Sequence, residues 1–240
     1  MKIKAFTLAE TLITLGIIGI VAAMTLPSLT NKLQKKDKSA RLKKFNSAIN
    51  QAITRSIADN GEPQYWYETL KYHDSTSLYN WFDKYIMNYM IIVKNCRNSN
   101  AKCSGEYNFC KKPNACYGGI NLTKQNVLYI FGDGSMIIAI TGGGVNSETG
   151  NTTSMTLHIR FDTNGYKKPN TLGMDIFSFR MDINKNFHYI TCDNHKSETG
   201  GTVSLSGKRK DLVSACKTDP QTCSCLLMYD GFEFKNDYPW

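Results

Sequence analysis

Residues 6–26 read FTLAETLITLGIIGIVAAMTL, twenty-one positions of which only Glu10 carries a charge. At about 1.5 Å of rise per residue, such a run makes a helix of roughly 30 Å, the thickness of a bilayer's hydrocarbon core. A short basic leader, MKIKA, precedes it and Pro27 closes it. Two ordinary readings are open, a permanent membrane helix or a secretory signal peptide cut near Ala22 and Ala23. Glu10 suits neither, because a carboxylate at mid-membrane costs about 2.5–3.5 kcal/mol on insertion scales. Its charge needs a partner.

Charge separates the same apolar rod from the rest of the chain. The formal net charge is +9, yet residues 1–45 hold nine basic and two acidic side chains, so the remaining 195 residues carry only +2. The excess therefore does not describe a basic globular surface, and no nucleic-acid partner is expected. Lys32, Lys35, Lys36, Lys38, Arg41, Lys43 and Lys44 follow the apolar run and read as a solvated surface facing lipid phosphates. A bare count of flanking charges would put the larger part in the cytoplasm, but long domains follow that rule weakly.

The cysteines point outward. Cys96, Cys103, Cys110 and Cys116 form one cluster, and Cys192, Cys216, Cys223 and Cys225 another. An even set in a chain bound for export predicts disulfides, mainly within each cluster, although eight cysteines allow 105 pairings. A zinc site would need paired ligands at metal spacing, and the nearest candidates, His188, Cys192 and His195, lack it.

Beyond Pro27, Leu29, Leu33, Leu42, Phe45, Ile49, Ile53 and Ile57 recur mostly every three or four residues, a helical stripe that ends at Asn60-Gly61. The helix should run over residues 6–59, about 80 Å, its first half in lipid and the stripe of its second half on a globular head. Aromatic residues over 65–90 predict one or two short helices. Strands are expected at 127–131, 136–141, 155–161, 175–181 and 187–191. Gly132-Asp133-Gly134 turns between the first two, and Asn184-Lys185-Asn186 between the last two. The fold class is α+β, a long N-terminal helix packed on a disulfide-braced antiparallel sheet. Its parts are a leader (1–5), the helix (6–60, membrane half 6–29) and the head (61–240). The C-terminal MYDGFEFKNDYPW reads as a last strand whose aromatic tail packs on the head.

Chemistry is sparse. Asp162, Asn164 and Asp175 are a calcium candidate, but the loop offers few carboxylates for an ion that wants six or more oxygens, so a structural turn is favoured. Asp182, Asn184, Asn186 and Asp193 imitate an EF-hand loop, with Phe187 where glycine is needed. The stretch GGTVSLSGKRK fails as a phosphate loop, with Arg209 in place of Ser or Thr. His73, His158, His188 and His195 have no obvious nucleophile partner. No enzyme activity and no required cofactor are expected.

The segment AFTLAETLITLGIIGIVAAMTLP resembles the N-terminus of the type IV pilin and type II secretion pseudopilin superfamily. The resemblance implies cutting between Ala5 and Phe6 by a prepilin peptidase and N-methylation of Phe6. Ala5 stands where the family usually has glycine. Glu10 becomes the fifth mature residue and pairs with the new amine, which in the family sets the axial register of a filament. Gly16, Gly19 and Pro27 match the family's glycines and membrane-exit proline. Implied partners are sister subunits, an assembly platform, an ATPase and the membrane. The implied location is the inner membrane with the head outside the cytoplasm, then a periplasmic or cell-surface filament. A large head suggests a minor subunit. The alternative is a membrane-tethered or secreted binding protein, such as an adhesin, cut by general signal peptidase.

Overall fold

The computed structural model describes residues 7–97, 103, 107, 109–112, 115–117, 125–142, 156–182, 190–194, 203 and 207–239. Helix α1 (Leu8–Asn60) runs for 53 residues between two sequence signals. At its start Thr7 is the N-cap of a capping box: its hydroxyl accepts from the Glu10 N–H, and the Glu10 carboxylate accepts from the Thr7 N–H at 2.8 Å. At its end Gly61 turns to φ 76° and donates its N–H to the Ile57 carbonyl. Pro27 lies inside the helix.

Contacts divide α1 into a bare half and a docked half. All large apolar side chains between residues 8 and 33 stand exposed, Leu8 by 78% and Leu33 by 57%. This half is apolar and long enough to cross a membrane. Burial begins at Ser39 and continues through Leu42, Phe45, Ile49, Ala52, Ile53 and Ser56. Leu29 and Leu33, expected on the docked stripe, are therefore not part of it. The reason is length: seven-residue strands span about 23 Å, which matches the roughly 26 Å of helix between residues 39 and 56.

The head presents a six-stranded antiparallel sheet to the docked half. Its strands are β1 (Ile92–Asn95), β4 (Asn126–Phe131), β5 (Met136–Gly142), β6 (Thr156–Asp162), β7 (Ile176–Asp182) and β8 (Thr191–Cys192), in the order β1-β4-β5-β6-β7-β8. A separate hairpin pairs β2 (Phe109–Lys112) with β3 (Ala115–Tyr117). Alternation assigns the faces. Odd-numbered residues such as Tyr129, Ile137, Ile159, Phe161 and Phe179 form the core with α1, where Phe45 stacks on Phe161 at 4.2 Å between ring centroids. Helix α2 (Ser75–Tyr85) caps this core with Trp81, Phe82 and Tyr85, and Trp66 stacks on Tyr85 at 4.6 Å. On the outer face Leu128, Met136, Ile138 and Ile176 pack under Tyr107, Phe109 and the Cys96–Cys103 bridge.

Four expected strands are present within one residue of their expected bounds. Most of 187–191 and the Asn184-Lys185-Asn186 turn lie outside the described residues. The C-terminus differs from expectation. Helices α3 (Arg209–Thr218) and α4 (Cys223–Tyr229) precede it, and among the described residues no last strand follows. Gly231 (φ 64°) and Phe232 (φ 62°) turn left-handed and donate their N–H groups to the Met228 and Leu227 carbonyls. That is a Schellman termination of α4, incompatible with extended chain. The tail still packs on the head: Phe234 contacts Phe177 and Tyr238, and the Tyr238 hydroxyl donates to the Gly173 carbonyl at 2.6 Å.

Disulfides join Cys96 to Cys103, Cys110 to Cys116, Cys192 to Cys225 and Cys216 to Cys223, all within the two sequence clusters. The last two tie α3 and α4 to each other and to the sheet edge.

Candidate functional site

Among the described residues the bare half of α1 carries a continuous run of exposed large apolar side chains, from Leu8 to Leu33. Its polar groups are satisfied locally. Thr11, Thr14, Thr25 and Thr30 hydroxyls donate back to helix carbonyls at Leu8, Thr11, Val21 and Pro27, at 2.8–3.0 Å, which suits an apolar environment without water. Glu10 accepts from both the N–H and the hydroxyl of Thr7 at 2.8 Å. A carboxylate in the first turn also meets the positive end of the helix dipole. Beyond the helix's own backbone and the neighbouring residues, Gly16 and Gly19 have no described atom within 4 Å of where a Cβ would stand. Each costs about 1 kcal/mol of helix propensity relative to alanine, and nothing inside the chain requires it. Ala5 and Phe6 lie outside the described residues.

The basic stretch after the membrane half stays largely exposed, as expected from the sequence, but its last members also reach the head. Arg41 donates to the Asp133 carbonyl at 2.8 Å and to Asp37, Lys44 pairs with Asp133 at 2.8 Å, and Lys43 pairs with Glu233. These side chains fasten the stem to the β4–β5 turn and to the C-terminal tail. Burial opposes ionisation of Asp133, but the Lys44 ammonium and the two Ser135 donors outweigh it and hold its carboxyl at about 2. Lys35 lies 5.9 Å over the Tyr238 ring. The tail has its own clamp, Arg209 of α3 held by Asp230 and Asp237, with Lys235 on Asp230 at 2.7 Å.

The calcium candidates come together as the core of a turn. Asp162 accepts from the N–H groups of Asn164 and Gly165 through one oxygen and from the Tyr107 hydroxyl through the other, at 2.5–2.9 Å. Asp175 accepts from the N–H groups of Asn170 and Thr171 at 2.9 and 2.6 Å. Oxygens a calcium ion would need are thus already taken by protein donors, and the loop is built as a turn. Gly165 is required there: at φ 65° an added Cβ would strike the Gly134 carbonyl. Burial pushes the Asp162 carboxyl up to about 7, with Asp175 adding to the shift and Tyr107 opposing it. Lys38 of the stem faces both carboxylates, and its own burial lowers its pKa.

The outer face holds a constellation the sequence reading missed. His158 Nδ1 lies 3.0 Å from Asp193 Oδ2, which also accepts from Gln221 at 3.1 Å. The partners are 35 and 28 residues apart in sequence from Asp193, so no local motif announces them. Cys192 is bridged to Cys225 and is no metal ligand; His188 and His195 lie outside the described residues. Among the described residues no group of three or more His, Cys, Asp or Glu could hold a metal ion.

Residues 28–240 match a family whose description is "Family of unknown function (DUF6613)". The chain belongs to that family. The matched span starts directly after Pro27 and covers the stem and the head. Comparison with curated proteins and with solved structures gives no match.

Proposed function

We propose that this member of the family is a pilin-like structural subunit, a pseudopilin or minor pilin of a type II secretion or type IV pilus filament. It is cut between Ala5 and Phe6 and N-methylated on Phe6. The observation that carries the reading is a single 53-residue helix whose docked half is clamped to the head while its apolar half is covered by none of the described residues. A helix of this kind waits in a bilayer and then exchanges lipid for the apolar helices of neighbouring subunits. Glycines at 16 and 19, idle within the chain, suit such close helix contacts.

Glu10 fits the same reading. The new amine at Phe6 would lie immediately before the N-cap Thr7, one helical turn from the Glu10 carboxylate. In low dielectric the pair neutralises both charges, and a Glu10 that reaches instead to the amine of a neighbouring copy fixes the axial offset between subunits. The partners are those the resemblance implies: a prepilin peptidase, sister subunits, an assembly platform and its ATPase. The location is the inner membrane with the head outside the cytoplasm, then a filament. Four bridges in the head support an oxidising compartment.

Mass spectrometry of the mature N-terminus tests the proposal. Methylated Phe6 as the first residue is the expected result; a chain starting at Met1 or near Met24 would favour the tethered or secreted binding protein.

A further inference from the structure

The outer face of the sheet is apolar where β4 and β5 carry Leu128, Met136 and Ile138, and polar where β6 and β7 carry His158, Arg160, Ser178 and Arg180. Register places Arg160 directly opposite Ser178, and His158 opposite Arg180, so the four side chains share one face. His158, Arg160 and Ser178 line a cavity of about 220 Å³ whose remaining walls include Ile140, Asp193 and Gln221.

Two of these groups are unanswered. Ser178 is 3% exposed, and among the described residues its hydroxyl has no hydrogen-bond partner. Arg160 has the Phe109 ring 4.6 Å from its guanidinium carbon and, among the described residues, no hydrogen-bond acceptor. Ser178 is the buried donor of the two, and a buried donor left unpaired costs about 1–3 kcal/mol, whereas Arg160 is half-buried and lines the cavity. The other polar walls are committed elsewhere. Asp193 takes His158 and Gln221, and His158 Nε2 packs at Gly142, where a Cβ would come within 2.6 Å.

We infer that this cavity binds a small carboxylate, received by the edge of the Arg160 guanidinium and by the Ser178 hydroxyl. The guanidinium is planar by its own bonding, and its parallel N–H groups have the spacing of two carboxylate oxygens; the Phe109 ring lies beside it. Charge favours a monoanion. Arg160 supplies one positive charge, and Asp193 on the same wall repels a second negative charge on the ligand. The cavity admits a group of acetate to succinate size and lies on the face opposite the stem. The inference stands independently of the filament reading.

Titration of carbon-13 acetate into the full chain in detergent, at constant ionic strength and with chloride as the reference anion, tests this by ligand line broadening. Saturable binding is expected. Arg160→Gln should weaken it at least about tenfold and Ser178→Ala about three- to tenfold, in line with the loss of a charged and a neutral hydrogen bond. Arg160→Lys, which keeps the charge without the fork, should also bind more weakly than the native chain. Ser178→Ala also separates binding from folding, since removing an unpaired buried hydroxyl should leave the thermal midpoint unchanged or raise it while acetate affinity falls. Absence of saturation in the native chain would overturn the inference. So would unchanged affinity in both Arg160→Gln and Ser178→Ala, or tighter binding of inorganic phosphate than of acetate.

Discussion

On the proposed reading Glu10 has two duties that a single substitution can separate. As the third residue of α1 it completes the capping box with Thr7, and as the one charge of the apolar run it is the natural partner of an uncovered amine. Glutamine preserves the capping hydrogen bonds but not the charge. Glu10→Gln should therefore insert and fold like the native chain yet fail to enter filaments, which immunoblotting of sheared filament fractions would measure; normal incorporation would remove the charge pair from the argument. Asp133 is the corresponding residue at the junction of stem and head. Its carboxylate holds Lys44, and its carbonyl holds Arg41, so Asp133→Asn loses the ion pair and keeps the carbonyl contact. Because the pair is partly exposed, the cost should be only about 0.5–1 kcal/mol and should shrink in high salt. Chemical denaturation at low and high ionic strength would show it.

Among the elements, α1 was legible almost to the residue, because its apolar spacing, its Asn60-Gly61 end and the long charge-poor run all agree. Strands β4 to β7 were legible for the same reason: their apolar residues alternate, and the Asp-Gly turn between β4 and β5 has a single reading; β1, β2 and β3, only three or four residues long, were not among the expected strands. The C-terminal unit was not. Phe232, Phe234 and Tyr238 alternate like a strand, but Gly231 and Phe232 adopt left-handed backbone and the rings pack on α4's end and on Phe177. Aromatic alternation there serves a turn. Helices α3 and α4 are 10 and 7 residues long, too short to hold themselves in water, and it is bridges invisible in the local pattern that fix them. The Arg160 cavity was hidden for a similar reason, since its walls come from β6, β7, and the segments around Asp193 and Gln221. Replacing Cys192 and Cys225 together by serine opens a link across 33 residues of sequence. The expected loss is about 3–4 kcal/mol from chain entropy, with the α3–α4 unit exchanging its amide hydrogens before the β4–β7 sheet does. Uniform exchange across the head would contradict that division.

At the scale of the whole molecule, opposing carboxylates set the pH at which the head is most stable. Asp133 and Asp237 are held at about 2, Asp237 chiefly by its hydrogen bonds to Arg209 and Asp133 by Lys44 and Ser135 against its burial. Their contribution is present above the unfolded value near 4 and is lost as pH falls from about 4 towards 2. Asp162 runs the other way. Buried beside Asp175, with Tyr107 and the stem's Lys38 as its other ionisable neighbours, it is pushed up to about 7. Its contribution is complete below about 4 and drains away as pH rises to about 7, on the order of 2–3 kcal/mol over that window. The two trends cross, so urea unfolding of the full chain in detergent should find greatest stability near pH 4–5, lower than the usual range for folded proteins. Asp162→Asn, which cannot ionise, should flatten the fall above pH 4 and leave the acid limb unchanged. A native profile that climbs steadily to pH 7, or a variant with the same slope there, would show that the Asp162 carboxylate is satisfied by its three donors and stays ionised throughout.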